Sequence, residues 1–217
     1  MSYFMRNARE PISSYTHFLG AVFFGAGALL LLIKGLWQDD PAGWTVLSLA
    51  VFGFSLVALY SASAIYHFSC ASAGMVRILR KLDHSMIYVL IAGTYTPVLL
   101  AYMPMPNAVY FTVFMWILAL AGILTKLLWF SAPRWLGTAF YLIMGWAILA
   151  DPSVFWQMSG GAFALLAAGG LSYTAGGIIY GLQKPNFSEH FGHHELFHLF
   201  CLAGSLFHYL LMLLYVA

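Results

Sequence analysis

Long apolar runs separated by short polar stretches dominate the chain. Seven runs stand out, at roughly 13 to 34, 44 to 66, 84 to 103, 108 to 130, 136 to 150, 159 to 181 and 194 to 216. About 20 apolar residues carry a helix across the hydrocarbon core of a bilayer, so each run predicts a transmembrane helix, the short fifth run having the least secure ends. The pattern predicts an all-α integral membrane protein, with residues 1–217 forming a single seven-transmembrane-helix bundle.

Composition narrows the class further. With 62% hydrophobic and 7% charged residues and a mean hydropathy of +0.85, the chain lies far outside the range of soluble globular domains. The first apolar run follows Arg6, Arg9 and Glu10; it is too long for a signal-peptide core and no small-residue cleavage site follows it, so it is read as a retained first span. Two cysteines, Cys70 and Cys201, have no paired spacing and predict free thiols rather than a disulfide framework. A net charge of +2 gives no reason to expect nucleic acid as a partner.

Placement of the charges says more than their total. Arg6 and Arg9 precede the first span; Arg77, Arg80 and Lys81 fall in the expected loop between the second and third; Lys126 and Arg134 flank the next turn on that side, and Lys184 the last. Only Lys34, beside Asp39 and Asp40, falls opposite, so eight of nine basic residues share one side. The positive-inside rule then predicts a cytoplasmic N-terminus and, after seven crossings, an extracytoplasmic C-terminus.

That topology brings polar residues together. His67 ends the second span, Asp83 opens the third, and His194 and His198 open the seventh; all lie in the cytoplasmic leaflet. Imidazoles at i and i+4 lie on one helix face and can share an ion, and a third from another helix completes the three-ligand set of a catalytic zinc with one open position. Ser63 lies one turn deeper than His67 on the same face, where it can orient a water or a carbonyl. Asp83 can act as general base or as an outer hydrogen-bond partner of the metal; as an alternative it makes a juxtamembrane salt bridge with Arg80 or Lys81.

The other histidines fit this pattern less well. His190 with His194 is a rival i, i+4 pair, placed in the loop, and His193 is near by sequence alone. His84 points about 100° away from Asp83 on a helix, which suggests a loop or interface position. His208 lies roughly 20 Å along the axis from His194 and belongs to the outer half. His17, near the cytoplasmic end of the first span, is read as structural, donating across helices. Trp37, Trp44, Trp135 and Trp156 near span ends form an ordinary aromatic belt. Gly93 to Pro97 is expected to bend the third span near its middle.

The combination Ser63 and His67 in Ser-Ala-Ile-Tyr-His, then Asp83, then His194-Glu-Leu-Phe-His198 resembles the progestin and adiponectin receptor superfamily, and most closely its bacterial branch, the haemolysin III family. Thr16-His17, Gly-Thr-Tyr-Thr-Pro at 93 to 97, Gly145-Trp146, Tyr173-Thr174-Ala175-Gly176 and Tyr180 through Pro185 extend the resemblance over essentially the whole chain; Ser13 stands where the family often has Asn. The resemblance implies a seven-helix bundle in the bacterial cytoplasmic (inner) membrane, a zinc held by His67, His194 and His198, Asp83 and Ser63 near the zinc-bound water, and kinship with alkaline ceramidases.

Three classes of function follow. The first is a zinc-dependent hydrolase acting on a lipid amide or ester at the cytoplasmic leaflet, with Asp83 taking the proton. A second is a zinc-containing regulator or sensor without turnover, for which Cys70 is the candidate fourth ligand that would close the site. The third is an ion or proton channel or transporter; few charged residues in the outer leaflet argue against a continuous relay. A b-type haem protein is a further alternative that visible absorbance would reveal. In every case membrane lipid is the immediate partner.

Overall fold

A computed structural model describes residues 2–37, 43–129, 132–188 and 191–217. Nine α-helices and one short 3-10 helix make up the described residues, with no strand among them: α1 (Ser2–Asn7), α2 (Pro11–Leu36), α3 (Gly43–Phe68), α4 (Ala73–Tyr102), α5 (Asn107–Leu128), α6 (Arg134–Gly145), the 3-10 helix Ala147–Ala150, α7 (Ser153–Trp156), α8 (Gly160–Leu182) and α9 (His193–Tyr215). Six of them, α2, α3, α4, α5, α8 and α9, have 22 to 30 residues and the hydropathy of membrane spans. At 1.5 Å per residue the shortest already exceeds the ~30 Å hydrocarbon core.

Neighbouring spans pack antiparallel, α2 on α3, α3 on α4, α4 on α5 and α8 on α9, and α9 also packs on α2. One end of the bundle therefore gathers the starts of α2, α4 and α9 with the ends of α3, α5 and α8. The chain's core runs between them, with Phe24, Phe52, Tyr60, Tyr88, Leu99 and Leu211 fully buried. Burial of the apolar window falls from 61% in α4 to 22% in α5, so α4 is the central helix and its polar residues face protein, whereas Ile117 and Leu120 of α5 point outward. Trp37, Trp44, Trp135 and Trp156 are exposed at helix ends, as an aromatic belt requires.

Two expectations are corrected. The fifth expected span, 136 to 150, is the 12-residue α6 followed by a 3-10 turn, because the helix stops at Gly145. Tertiary hydrogen bonds replace its ladder there: the Tyr95 hydroxyl donates to the Gly145 carbonyl at 3.0 Å and accepts from the Ile148 amide at 2.8 Å. Such a substitute is what backbone groups at membrane depth demand. The third expected span begins eleven residues earlier than its hydropathy suggests, so Arg77, Arg80 and Lys81 lie on α4 and only 69–72 connect it to α3. Arg and Lys are good helix formers, and hydropathy marks where the bilayer is, not where the helix starts. Asp39 and Asp40 lie outside the described residues.

α4 runs without interruption through Pro97, and the neighbouring Gly93 serves a close approach. A Cβ on Gly93 would lie 2.4 Å from Ser55 Oγ and 2.7 Å from Ser55 Cβ of α3, whereas one on Gly25 meets nothing within 4 Å. Overpacking a tight contact typically costs about 1–3 kcal/mol. Gly93→Ala is accordingly expected to lower the thermal midpoint of the detergent-solubilised protein by several degrees, while Gly25→Ala leaves it unchanged or raises it; equal midpoints in a melting assay would remove the close-packing argument.

Candidate metal centre

His67 sits in the last turn of α3, and His194 and His198 occupy the first two turns of α9, so helix ends brought to one side of the bundle present all three. One ring nitrogen from each lies within 4.8 Å of the others, and among the described residues this is the group of three or more such donors that could hold an ion. The Nε2 atoms of His67 and His194 are 3.4 Å apart. Two nitrogens each 2.0–2.1 Å from a tetrahedral ion are separated by about 3.3–3.4 Å, so this pair is spaced for one shared ion. The ring centroids are 4.6 to 4.9 Å apart.

A carboxylate the sequence reading passed over orients the centre. Nδ1 of His67 donates to Glu10 Oε2, which leaves the Nε2 lone pair for the ion. Glu10 is held there from three directions: its own amide donates to the His67 carbonyl at 3.0 Å, the Arg9 amide to the Phe68 carbonyl at 3.3 Å, and the Arg9 Nε to Glu10 Oε1 at 3.2 Å. Burial alone would raise the Glu10 carboxyl, but the bond to His67 and the cationic neighbours overcome it and hold the group at about 2. A carboxyl depressed from 4.5 stabilises the fold fully above that value, and the contribution fades as pH falls toward 2. In sequence Glu10 looks like one more charge before a membrane span, 57 residues from its partner, with no spacing to connect them.

Glu195 does the corresponding work for α9. Its Oε2 accepts from the Gly192 amide at 2.9 Å, capping the helix, and its Oε1 accepts from the Ser13 hydroxyl at 3.0 Å, tying α9 to α2. The Ser14 hydroxyl in turn donates to the Ala64 carbonyl of α3 at 3.0 Å. These bonds lock the relative heights of the helices that carry the histidines.

Asp83 and Ser63 line the same cavity as His194 and His198, a space of about 170 Å³ whose walls continue past Ile87, Ile91 and Thr94. Both are buried, and the Ser63 hydroxyl faces Asp83 within side-chain hydrogen-bonding reach. Asp83 lies ten residues inside α4 rather than at its start. His17 packs across helices against the centre, its ring stacked on that of His198 with centroids 3.7 Å apart. His84 belongs to α4, not to a loop, and its Nε2 is 4.0 Å from Asp83 Oδ2. His193 bonds Asn186, and His208 reaches the Leu166 carbonyl at 3.3 Å, deep in the bundle. His190 lies outside the described residues. Cys70 is exposed with Sγ 3.5 Å from the Asn7 carbonyl, outside the histidine cluster, because α3 ends at Phe68 and the chain turns away.

The helices and the donor set together define an integral membrane protein with a polyhistidine centre at one end of its bundle. The chain matches the family model Haemolysin-III related over residues 5–209, and it belongs to that family. It is 37% identical over 199 residues to Hemolysin-3 homolog of Bacillus subtilis (strain 168), covering 90% of this chain and 89% of that one. Hemolysin-3 of Bacillus cereus is 35% identical over 208 residues, covering 95% and 91%. Adiponectin receptor protein of Drosophila melanogaster is more distant, 28% identical over 92% of this chain and 49% of its own length. Bacterial relatives and six apolar helices make this an integral protein of the bacterial inner membrane.

Glu10 yields a prediction about the centre. Removing an outer hydrogen-bond partner of a metal-bound histidine typically costs about 10–100-fold in metal affinity. Glu10→Gln is expected to weaken metal binding at the cluster by that factor, with Glu10→Asp intermediate, in competition titrations against a fluorescent chelator. Unchanged affinity would show that the carboxylate does not orient His67.

Proposed function

We propose that this protein is a zinc-dependent hydrolase of a lipid amide or ester, working in the cytoplasmic leaflet as a single seven-span domain. The reading rests on one observation: three imidazoles have ring nitrogens within 4.8 Å of one another, one pair at 3.4 Å, and two of them, His194 and His198, line a cavity with a buried carboxylate, Asp83. Neutral nitrogen donors suit zinc, and three of them leave a coordination position open, as hydrolytic sites do and closed structural sites do not. When bound, the ion supplies Lewis acidity, lowering the pKa of a water to about 7 and polarising a carbonyl. Asp83 takes a proton from the attacking water at its carboxylate and returns it to the leaving nitrogen or oxygen. Ser63, buried against Asp83, fixes the orientation of that carboxylate. Glu10 holds the Nδ1 proton of His67, and the apolar cavity wall excludes bulk water while accepting an acyl chain. With Cys70 outside the cluster, a closed four-ligand site lacks its named fourth donor.

The seventh crossing in this reading is α6 with its 3-10 extension, which together reach about 26 Å, near the thickness of the core. Arg6, Arg9, Arg77, Arg80, Lys81 and Lys126 lie at the metal end, which by the positive-inside rule supports a cytoplasmic position for that end. A C-terminal reporter that functions only in the cytoplasm is expected to be silent, and activity would overturn both the crossing number and the orientation. Hydrolysis itself is tested by lipid analysis of cells with and without the protein. An acyl lipid that accumulates in its absence supports the proposal, and identical lipid profiles contradict it.

A further inference from the structure

A second cavity, of about 310 Å³, adjoins the first away from the histidines, and the two share Thr94, Tyr95, Gly145, Trp146, Gly170 and His208 in their walls. Leu149 and Phe163 on its rim are exposed, so it opens sideways toward lipid. Its wall is almost wholly apolar. Apart from His208, the polar side chains that line it are engaged within the protein: the Thr94 hydroxyl donates to the Leu90 carbonyl at 2.8 Å, the Trp146 indole to Thr174 Oγ1 at 2.9 Å, and the Tyr95 hydroxyl joins Gly145 to Ile148.

His208, only 7% exposed, is left incomplete. A Cβ on Gly169 would stand 2.2 Å from its Nε2 and 2.3 Å from its Cδ2, so that edge of the ring is pressed against α8, where Nε2 reaches the Leu166 carbonyl at 3.3 Å. A carbonyl only accepts, so Nε2 carries the proton; an imidazolium away from water is costly, so Nδ1 keeps a lone pair. That nitrogen is buried without a hydrogen-bond partner. The neighbouring Tyr173, its ring centroid 5.6 Å away, directs its hydroxyl to Ser205 Oγ at 2.6 Å, an atom that also bonds Tyr60. A water needs about two to four polar partners, more than this wall has unengaged. An ionisable side chain within a span that borders a cavity marks a site, and here the one unmet atom is an acceptor among apolar groups. It calls for a ligand that is apolar except for a single donor.

We infer that the second cavity is a subsite for a hydroxylated acyl chain, whose hydroxyl donates to His208 Nδ1. The inference deepens the hydrolase reading, on which it rests for placing the head of the lipid at the histidines. Ten residues of α9 separate His198 from His208, about 15 Å along the axis. An extended chain advances about 3.5 Å in three bonds, so the hydroxyl belongs about a dozen bonds from the head. Gly170, in the wall of both cavities, leaves room for the chain to pass: a Cβ on it would meet only the Trp146 ring, at 3.9 Å. A hydroxyl placed elsewhere along the chain loses its water against Val98, Leu149 or Phe163 and gains no partner.

Displacement of a fluorescent long-chain fatty acid from the full-length protein in neutral detergent tests this, with octadecanoic, 2-hydroxyoctadecanoic and 12-hydroxyoctadecanoic acids as competitors. The 12-hydroxy acid is expected to bind about fivefold more tightly than either of the others, the effect of one added hydrogen bond. His208→Phe keeps a ring without an acceptor and is expected to abolish the preference. His208→Gln, whose amide can donate to the Leu166 carbonyl while its oxygen accepts the hydroxyl, is expected to keep it. Equal binding of the three acids by the unaltered protein, or a preference that survives His208→Phe, overturns the subsite, and the first comparison requires no variant to fold. Because no turnover enters the measurement, a hydroxyl preference without acyl release would sink the hydrolase reading alone, and acyl release without the preference would sink the subsite alone.

Discussion

Replacing His67, His194 or His198 by alanine is expected to take the purified protein from one zinc per chain to a small fraction of that. Each variant removes one of three nitrogen donors, and since even an outer partner is worth about 10–100-fold in affinity, loss of a ligand exceeds that range. His193→Ala and His208→Ala serve as controls. The first residue bonds Asn186 and the second the Leu166 carbonyl, so neither change touches the cluster. Elemental analysis after gel filtration reads the outcome, and circular dichroism checks that the helices persist. Full occupancy in His198→Ala would remove the three-histidine assignment.

Asp83→Asn is expected to keep both metal and fold while losing turnover. The amide has the shape of the carboxylate and can still bond Ser63, but it cannot accept a proton from water. A general base typically contributes about 10²–10⁴ in rate, which sets the expected loss in acyl release. Loss of zinc in this variant would make Asp83 a ligand or an anchor of one. Full activity would exclude it as the base.

Features with a local signature were legible in the sequence. His194 and His198 share a face because helical geometry demands it, and His67 joins them because two span boundaries readable from hydropathy, the end of α3 and the start of α9, fall at one end of the bundle. Long-range partnerships were not legible. Glu10 meets His67 across 57 residues, through backbone bonds between the segment preceding α2 and the end of α3, and nothing in its neighbourhood announces a partner. The stacking of His17 on His198 likewise depends on how α2 and α9 pack. The breakdown of the fifth span at Gly145 follows from Tyr95 on α4 satisfying two loose backbone groups, a bargain between distant segments that hydropathy does not register. The early start of α4 escaped for a different reason, since a helix extends into the polar interface wherever its residues tolerate it. Lys126 reads in sequence as one more positive-inside charge, and only packing reveals that it turns inward over Tyr141.

The most direct test of the account is acyl release by the purified, zinc-loaded protein reconstituted in vesicles containing phosphatidylglycerol and amide-linked acyl lipids. Mass spectrometry is expected to detect free fatty acid, lost on treatment with a chelator, restored by zinc and absent with Asp83→Asn. Zinc bound at one per chain with every acyl lipid left intact would contradict it.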